Sequence, residues 1–98
     1  MMMPSFQRLA AKELREACAW YACRDPDVAT RFMQSVNAAI ARICDAPETH
    51  PIEMKQIRWV RVRRFPYRLI FEPAGPDRVL IIAVAHFSRR SRYWRRRR

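Results

Sequence analysis

The sequence predicts an α+β fold: an N-terminal helix hairpin packed on a small antiparallel β-sheet, with a candidate short edge strand ahead of the helices. Three observations carry this. Apolar residues recur at helical spacing through the first half of the chain, interrupted once at Arg24-Asp25-Pro26-Asp27. From Ile57 onward the apolar period shortens to two and then becomes a continuous run, the patterns of half-buried and fully covered strands. The chain's one glycine, Gly75, lies between Pro73 and Pro76, where a hairpin loop would join two of those strands.

The first element is the weakest. Residues 4–8 make a candidate edge strand supported by Phe6 alone. Over residues 9–23, Phe6, Ala10, Leu14, Ala17 and Tyr21 fall at spacings of four, four, three and four, one face of a helix. Lys12, Glu13, Arg15 and Glu16 fall on or near the opposite face. Trp20 lies off the stripe beside Tyr21, either as a flank of the core, the preferred reading, or as an exposed contact.

Asp25 fits an N-cap, Pro26 the first helical position and Asp27 the positive end of a second helix. Its apolar stripe is Ala29, Phe32, Val36, Ala39, Ile40 and Ile43, and Pro47 ends it by denying helical geometry to Ala46. Residues 47–56 read as a loop. His50 lies in it as a solvated side chain, with no second histidine or carboxylate at ligand spacing.

The rest of the chain, residues 57–94, organises what precedes it. Val60 and Val62 alternate with Arg61 and Arg63, and Tyr67, Leu69 and Phe71 alternate with Arg68 and Ile70. Residues 79–85 are uninterrupted apolar residues, as an interior strand requires. These three segments form an antiparallel meander. After it come His86, Arg89, Arg90, Arg92, Tyr93 and Trp94, where the two aromatics need either a groove in the domain or a partner. Arg95 to Arg98 read as a solvated basic tail, so the expected organisation is one domain over 1–94 and a tail over 95–98.

Composition narrows the function. A chain of 98 residues that is 50% hydrophobic has room for one core of modest stability. No apolar run approaches the length of a bilayer span, and Met1-Met2-Met3-Pro4 lacks the basic and apolar regions of a signal segment, so a cytoplasmic location is expected. Cys18, Cys23 and Cys44 are odd in number and lack CxxC spacing, which argues for reduced thiols and against a zinc site. A single glycine excludes phosphate-cradling glycine loops. No metal or cofactor is implied.

The net charge of +11 is unevenly spread. Residues 1–56 balance seven Lys or Arg against seven Asp or Glu, whereas residues 57–98 carry thirteen arginines against Glu72 and Asp77. A negatively charged partner, nucleic acid or an acidic protein segment, is expected on that half.

An ordered set of motifs then becomes visible. The opening Ala10-Ala11-Lys12-Glu13-Leu14-Arg15-Glu16-Ala17-Cys18-Ala19-Trp20-Tyr21 is followed by Asp25-Pro26, Arg31-Phe32, Pro47 and His50-Pro51. Arg63-Arg64-Phe65-Pro66-Tyr67 and a closing AVxHxxRxxxYW, from Ala83 to Trp94, complete it. Together these resemble the ParE branch of the RelE/ParE toxins of bacterial type II toxin–antitoxin systems, over nearly the whole chain.

The resemblance implies a growth-arresting, plasmid-stabilising toxin neutralised by a cognate acidic antitoxin in a hetero-oligomer, and acting by binding and inhibiting DNA gyrase. Partner-binding candidates are Arg64, Arg89, Arg90, Tyr93, Trp94 and Trp20. The alternative is a RelE-like, ribosome-dependent and metal-independent mRNA endoribonuclease. It would draw cations from Arg61, Arg63, Arg68 and Arg89 and a proton-transfer group from His86 or Tyr93. The chain departs from the RelE pattern, with no lysine in the second of the three strand segments and Trp94 directly after Tyr93, and arginine is a poor general base. A second alternative, a small basic nucleic-acid-binding module, would place stacking aromatics on an open sheet face.

Overall fold

The computed structural model describes residues 2–97. Strand β1 (Met3–Phe6) leads into helices α1 (Arg8–Arg24) and α2 (Pro26–Asp45), followed by β2 (Ile52–Met54), β3 (Ile57–Val62), β4 (Tyr67–Pro73) and β5 (Arg78–His86). The sheet order is β1-β5-β4-β3-β2. Strands β2 to β5 are antiparallel neighbours, while β1 runs parallel to β5, so the sheet is mixed rather than wholly antiparallel.

Local chemistry explains most boundaries. Gln7 caps α1, its side-chain oxygen accepting from the backbone N–H groups of Leu9 and Ala10 at 2.6 and 3.2 Å. Asp25 ends α1 and caps α2 through Asp27 N–H at 2.9 Å, with Pro26 in the first turn as expected. The edge strand is real, but Phe6 belongs to it and not to the helix. Pro4 sits there without harm because an edge strand has one side that needs no amide donor.

Residues 47–56 are more ordered than a loop. Pro47–Thr49 form a 3₁₀ turn, and Ile52–Met54 form β2, paired with β3 across a register shift. A three-residue strand is too short to show a period. His50 is structural rather than solvated: its Nε2 lies 3.0 Å from the Arg42 carbonyl and its ring meets the Phe71 ring edge-on at 5.8 Å.

The core lies on both sheet faces. On the helix side Phe32, Val36, Ala39 and Ile43 of α2 pack with Leu69, Phe71, Val79, Ile81 and Val84. On the far side Ile57, Ile70, Ile82, Ala83 and Ala85 are roofed by Trp94, which is fully buried. A bulge opposite Ile70 and Phe71 turns Ile82 and Ala83 to that same far face. This is why β5 reads as a continuous apolar run. Each fully buried aliphatic side chain contributes about 1.5–3 kcal/mol.

Candidate functional site

Strand β1 stops pairing with β5 at Phe6 and Ile81, which leaves the C-terminal half of β5 without a neighbour on that side. Side chains satisfy the exposed backbone instead. Glu13 of α1 accepts from Val84 N–H at 3.0 Å, and Arg97 donates to the Ile82 carbonyl at 3.2 Å. Arg97 also grips Glu13 through both guanidinium nitrogens, at 2.8 and 2.9 Å. The Tyr93 hydroxyl donates to the same carboxylate at 2.6 Å, and Arg89 stands 3.8 Å away. Glu13 is therefore the hub that joins α1, β5 and the C-terminal segment.

Its surroundings decide the chemistry. Burial, followed by the hydrogen bond to Glu13, holds the Tyr93 hydroxyl far above the ordinary tyrosine value, although Arg89 and Arg97 pull the other way. The hydrogen bond to Glu13 likewise raises Arg97. Arg89 stacks on the Tyr93 ring at 3.9 Å. At neutral pH this tyrosine is a committed proton donor and cannot serve as a base. Backbone N–H of Ser88 donates to His86 Nδ1 at 3.0 Å, which leaves the neutral ring's proton on Nε2. The His86 ring packs edge-on against Tyr67 at 5.0 Å.

Two clefts flank this corner. One, of about 560 Å³, runs between α1 and the β4–β5 edge and is lined by Glu13, Trp20, Tyr21, Tyr67, His86 and Arg89. That volume is typical of ligand and side-chain pockets. Trp20 is a surface residue at 53% exposure, contrary to its core reading, and Arg24 stacks on it at 3.6 Å. The other cleft is smaller and gathers Arg68, His86, Arg89, Arg90, Tyr93 and Trp94. Arg68 is drawn toward Glu53, 3.8 Å away, and lies over the Trp59 ring. Arg61 is exposed but stands opposite Arg68 in the β3–β4 register and lies over Phe87, another residue lining that cleft. Arg63 and Arg64 lie in the β3–β4 turn, on a separate groove with Arg31.

Two expectations change here. Trp94 has no surface to offer a partner, because its ring roofs the second core cluster. Residues 95–97 form a 3₁₀ turn with the Arg97 side chain only 12% exposed, so the solvated-tail reading fails at that residue. Arg98 lies outside the described residues. Glu13 and Arg97 were missed as site residues. Glu13 adjoins Leu14 at the flank of the apolar stripe, a weak signal, and nothing distinguishes Arg97 among four consecutive arginines.

Residues 5–91 match the family described as the ParE toxin of type II toxin-antitoxin system, parDE. The chain belongs to the ParE toxin family. The match ends just before Arg92, so Tyr93, Trp94 and Arg97 lie beyond it. Among solved structures, a chain of the "Chromosomal ParDE TA system from P. aeruginosa" shares the fold, with a TM-score of 0.73 and 20% identity over 88% of this chain and 96% of that one. No curated protein matches this ParE-family toxin in sequence. Among the described residues no helix is long and apolar enough to cross a membrane, and no three His, Cys, Asp or Glu side chains are placed to hold a metal ion.

Proposed function

We propose that this ParE-family toxin arrests growth by binding and inhibiting DNA gyrase, and that an acidic antitoxin neutralises it in a cytoplasmic hetero-oligomer. The observation that carries binding over catalysis is the bond between the Tyr93 hydroxyl and Glu13. Metal-free RNA cleavage requires a group that accepts the 2′-hydroxyl proton. In the cleft that gathers Arg68, His86, Arg89 and Tyr93, the tyrosine hydroxyl is raised and already bonded to Glu13, His86 Nδ1 already accepts from the Ser88 N–H, and arginine is a poor general base.

The antitoxin is assigned to the cleft along α1. Exposed Trp20 and partly buried Tyr21 and Tyr67 supply apolar contact area there. Glu13 and Glu16 also line the cleft, so the attraction for an acidic segment comes from Arg89, the neighbouring Arg24 and the +11 net charge of the chain. An acidic segment that orders on binding would gain its association rate from the charge and much of its affinity from the rings.

The RelE-like reading keeps one supporting fact, the meeting of Arg68, His86, Arg89 and Tyr93 in one cleft. Tyr93→Phe separates the two. A gyrase inhibitor retains growth arrest and blocked supercoiling in this variant, and ribosomes show no cut message. Specific message cleavage that falls roughly a hundredfold in Tyr93→Phe would move the protein to the nuclease reading.

A further inference from the structure

A second arginine cluster lies across the β3–β4 turn from the α1 cleft. Arg31, Gln34 and Ser35 of α2 face Arg63, Arg64 and Phe65 of the turn over a groove of about 490 Å³. No carboxylate lines it. All three arginines are exposed, and none makes an ion pair or hydrogen bond among the described residues. Arg42 beside them has its charged form disfavoured first by burial and then by repulsion from Arg63. Arg64 is also held at φ 71°, in the left-handed region that disfavours a side-chain-bearing residue. Repelling charges held in a strained turn without a counterion form a surface that lacks its partner.

We propose that this groove docks the phosphate backbone of duplex DNA. Guanidinium forks match phosphate oxygens, and the Ser35 hydroxyl and Gln34 amide add neutral donors of the kind that contact phosphates. Single-stranded nucleic acid is the poorer fit because it needs open rings on which bases stack. The groove's one aromatic, Phe65, is instead packed between Tyr21 and Phe32 at 5.2 and 5.1 Å. An acidic protein segment draws much of its affinity from apolar contact, which the α1 cleft offers through exposed Trp20 and this groove does not. The inference stands without the gyrase reading, since it concerns the isolated chain and DNA.

The test is fluorescence anisotropy of a short labelled duplex of mixed sequence titrated with the purified full-length chain at several salt concentrations. The triple variant Arg31→Gln/Arg63→Gln/Arg64→Gln is expected to weaken binding roughly tenfold or more and to reduce the slope of log K against log salt by about 2–3. Arg8→Gln/Arg15→Gln/Arg78→Gln removes the same charge from exposed positions outside the groove and should change affinity by less than about threefold, with the slope nearly kept. The Arg→Lys triple at the groove should keep the slope while losing part of the affinity. Circular dichroism checks that each variant is folded. Equal losses in the two Gln triples would overturn the proposal in favour of diffuse attraction. It is equally overturned if polyglutamate displaces the duplex at matched charge, or if a single strand binds more tightly with the same dependence on these arginines.

Discussion

Two arginine clusters stand on either side of the Phe65-Pro66 turn, and they have opposite relations to charge. At the β5 corner Arg97 and Arg89 converge on one carboxylate, Glu13, which also holds a tyrosine hydroxyl and a backbone amide. In the α2 groove Arg31, Arg63 and Arg64 converge on no carboxylate at all. The first cluster closes the structure, because Glu13 and Arg97 bond the β5 backbone groups that a neighbour strand would otherwise take. The second leaves the structure open to an anion. Equal arginine content therefore says nothing about role: burial and counterion decide it.

The largest expected effect is at the first cluster. Glu13→Ala leaves Arg97 partly buried without its counterion and also orphans the Tyr93 hydroxyl and Val84 N–H. Urea unfolding should show a loss of about 3–5 kcal/mol, whereas Arg31→Ala in the groove should shift stability by less than about 0.5 kcal/mol. Similar losses at the two sites would erase the distinction. Arg97→Ala tests the same corner from the other side, and a truncation at residue 94 that left stability untouched would restore the free-tail reading.

A smaller effect comes from Tyr93→Phe, which removes one hydrogen bond to a carboxylate and should cost about 1.5–3 kcal/mol near neutral pH. Because folding raises this hydroxyl above its ordinary value of 10.0, its contribution is complete below that pH and fades as pH climbs toward the folded value. Wild type should thus lose stability above about pH 10 more steeply than Tyr93→Phe. Tyrosinate absorbance should also develop late, since burial raises Tyr21 and Tyr67 as well. Parallel alkaline curves for the two proteins would show that the bond to Glu13 does not form in solution.

The smallest effect belongs to the groove. Arg64→Gly relieves the left-handed backbone at φ 71° but adds freedom to the unfolded chain, for a net gain of roughly 0.5 kcal/mol. A thermal melt that drops instead would mean that the Arg64 side chain is held in place.

The sequence by itself determined the elements whose causes are local. The α2 stripe and its Asp25-Pro26 start, the alternation of β3 and β4, the apolar run of β5 and the Gly75 hairpin are written in residues a few positions apart, where periodicity and turn chemistry act. The motif order over Ala10 to Trp94 was also enough to place the chain in its family. Tertiary structure alone decided the partners of charges and rings. Glu13 meets Arg97 across 84 positions and Tyr93 across 80. Trp94 was buried, the domain-groove alternative rather than the partner one, because the C-terminal segment folds back over the far sheet face. Trp20 was exposed, against its core reading, because it lies off the α1 face that sets Tyr21 against Phe32 and Phe65. Strand β2 needed β3 beside it to form at all. Such pairings depend on which chain segments arrive in the same place, and local spacing carries no record of that.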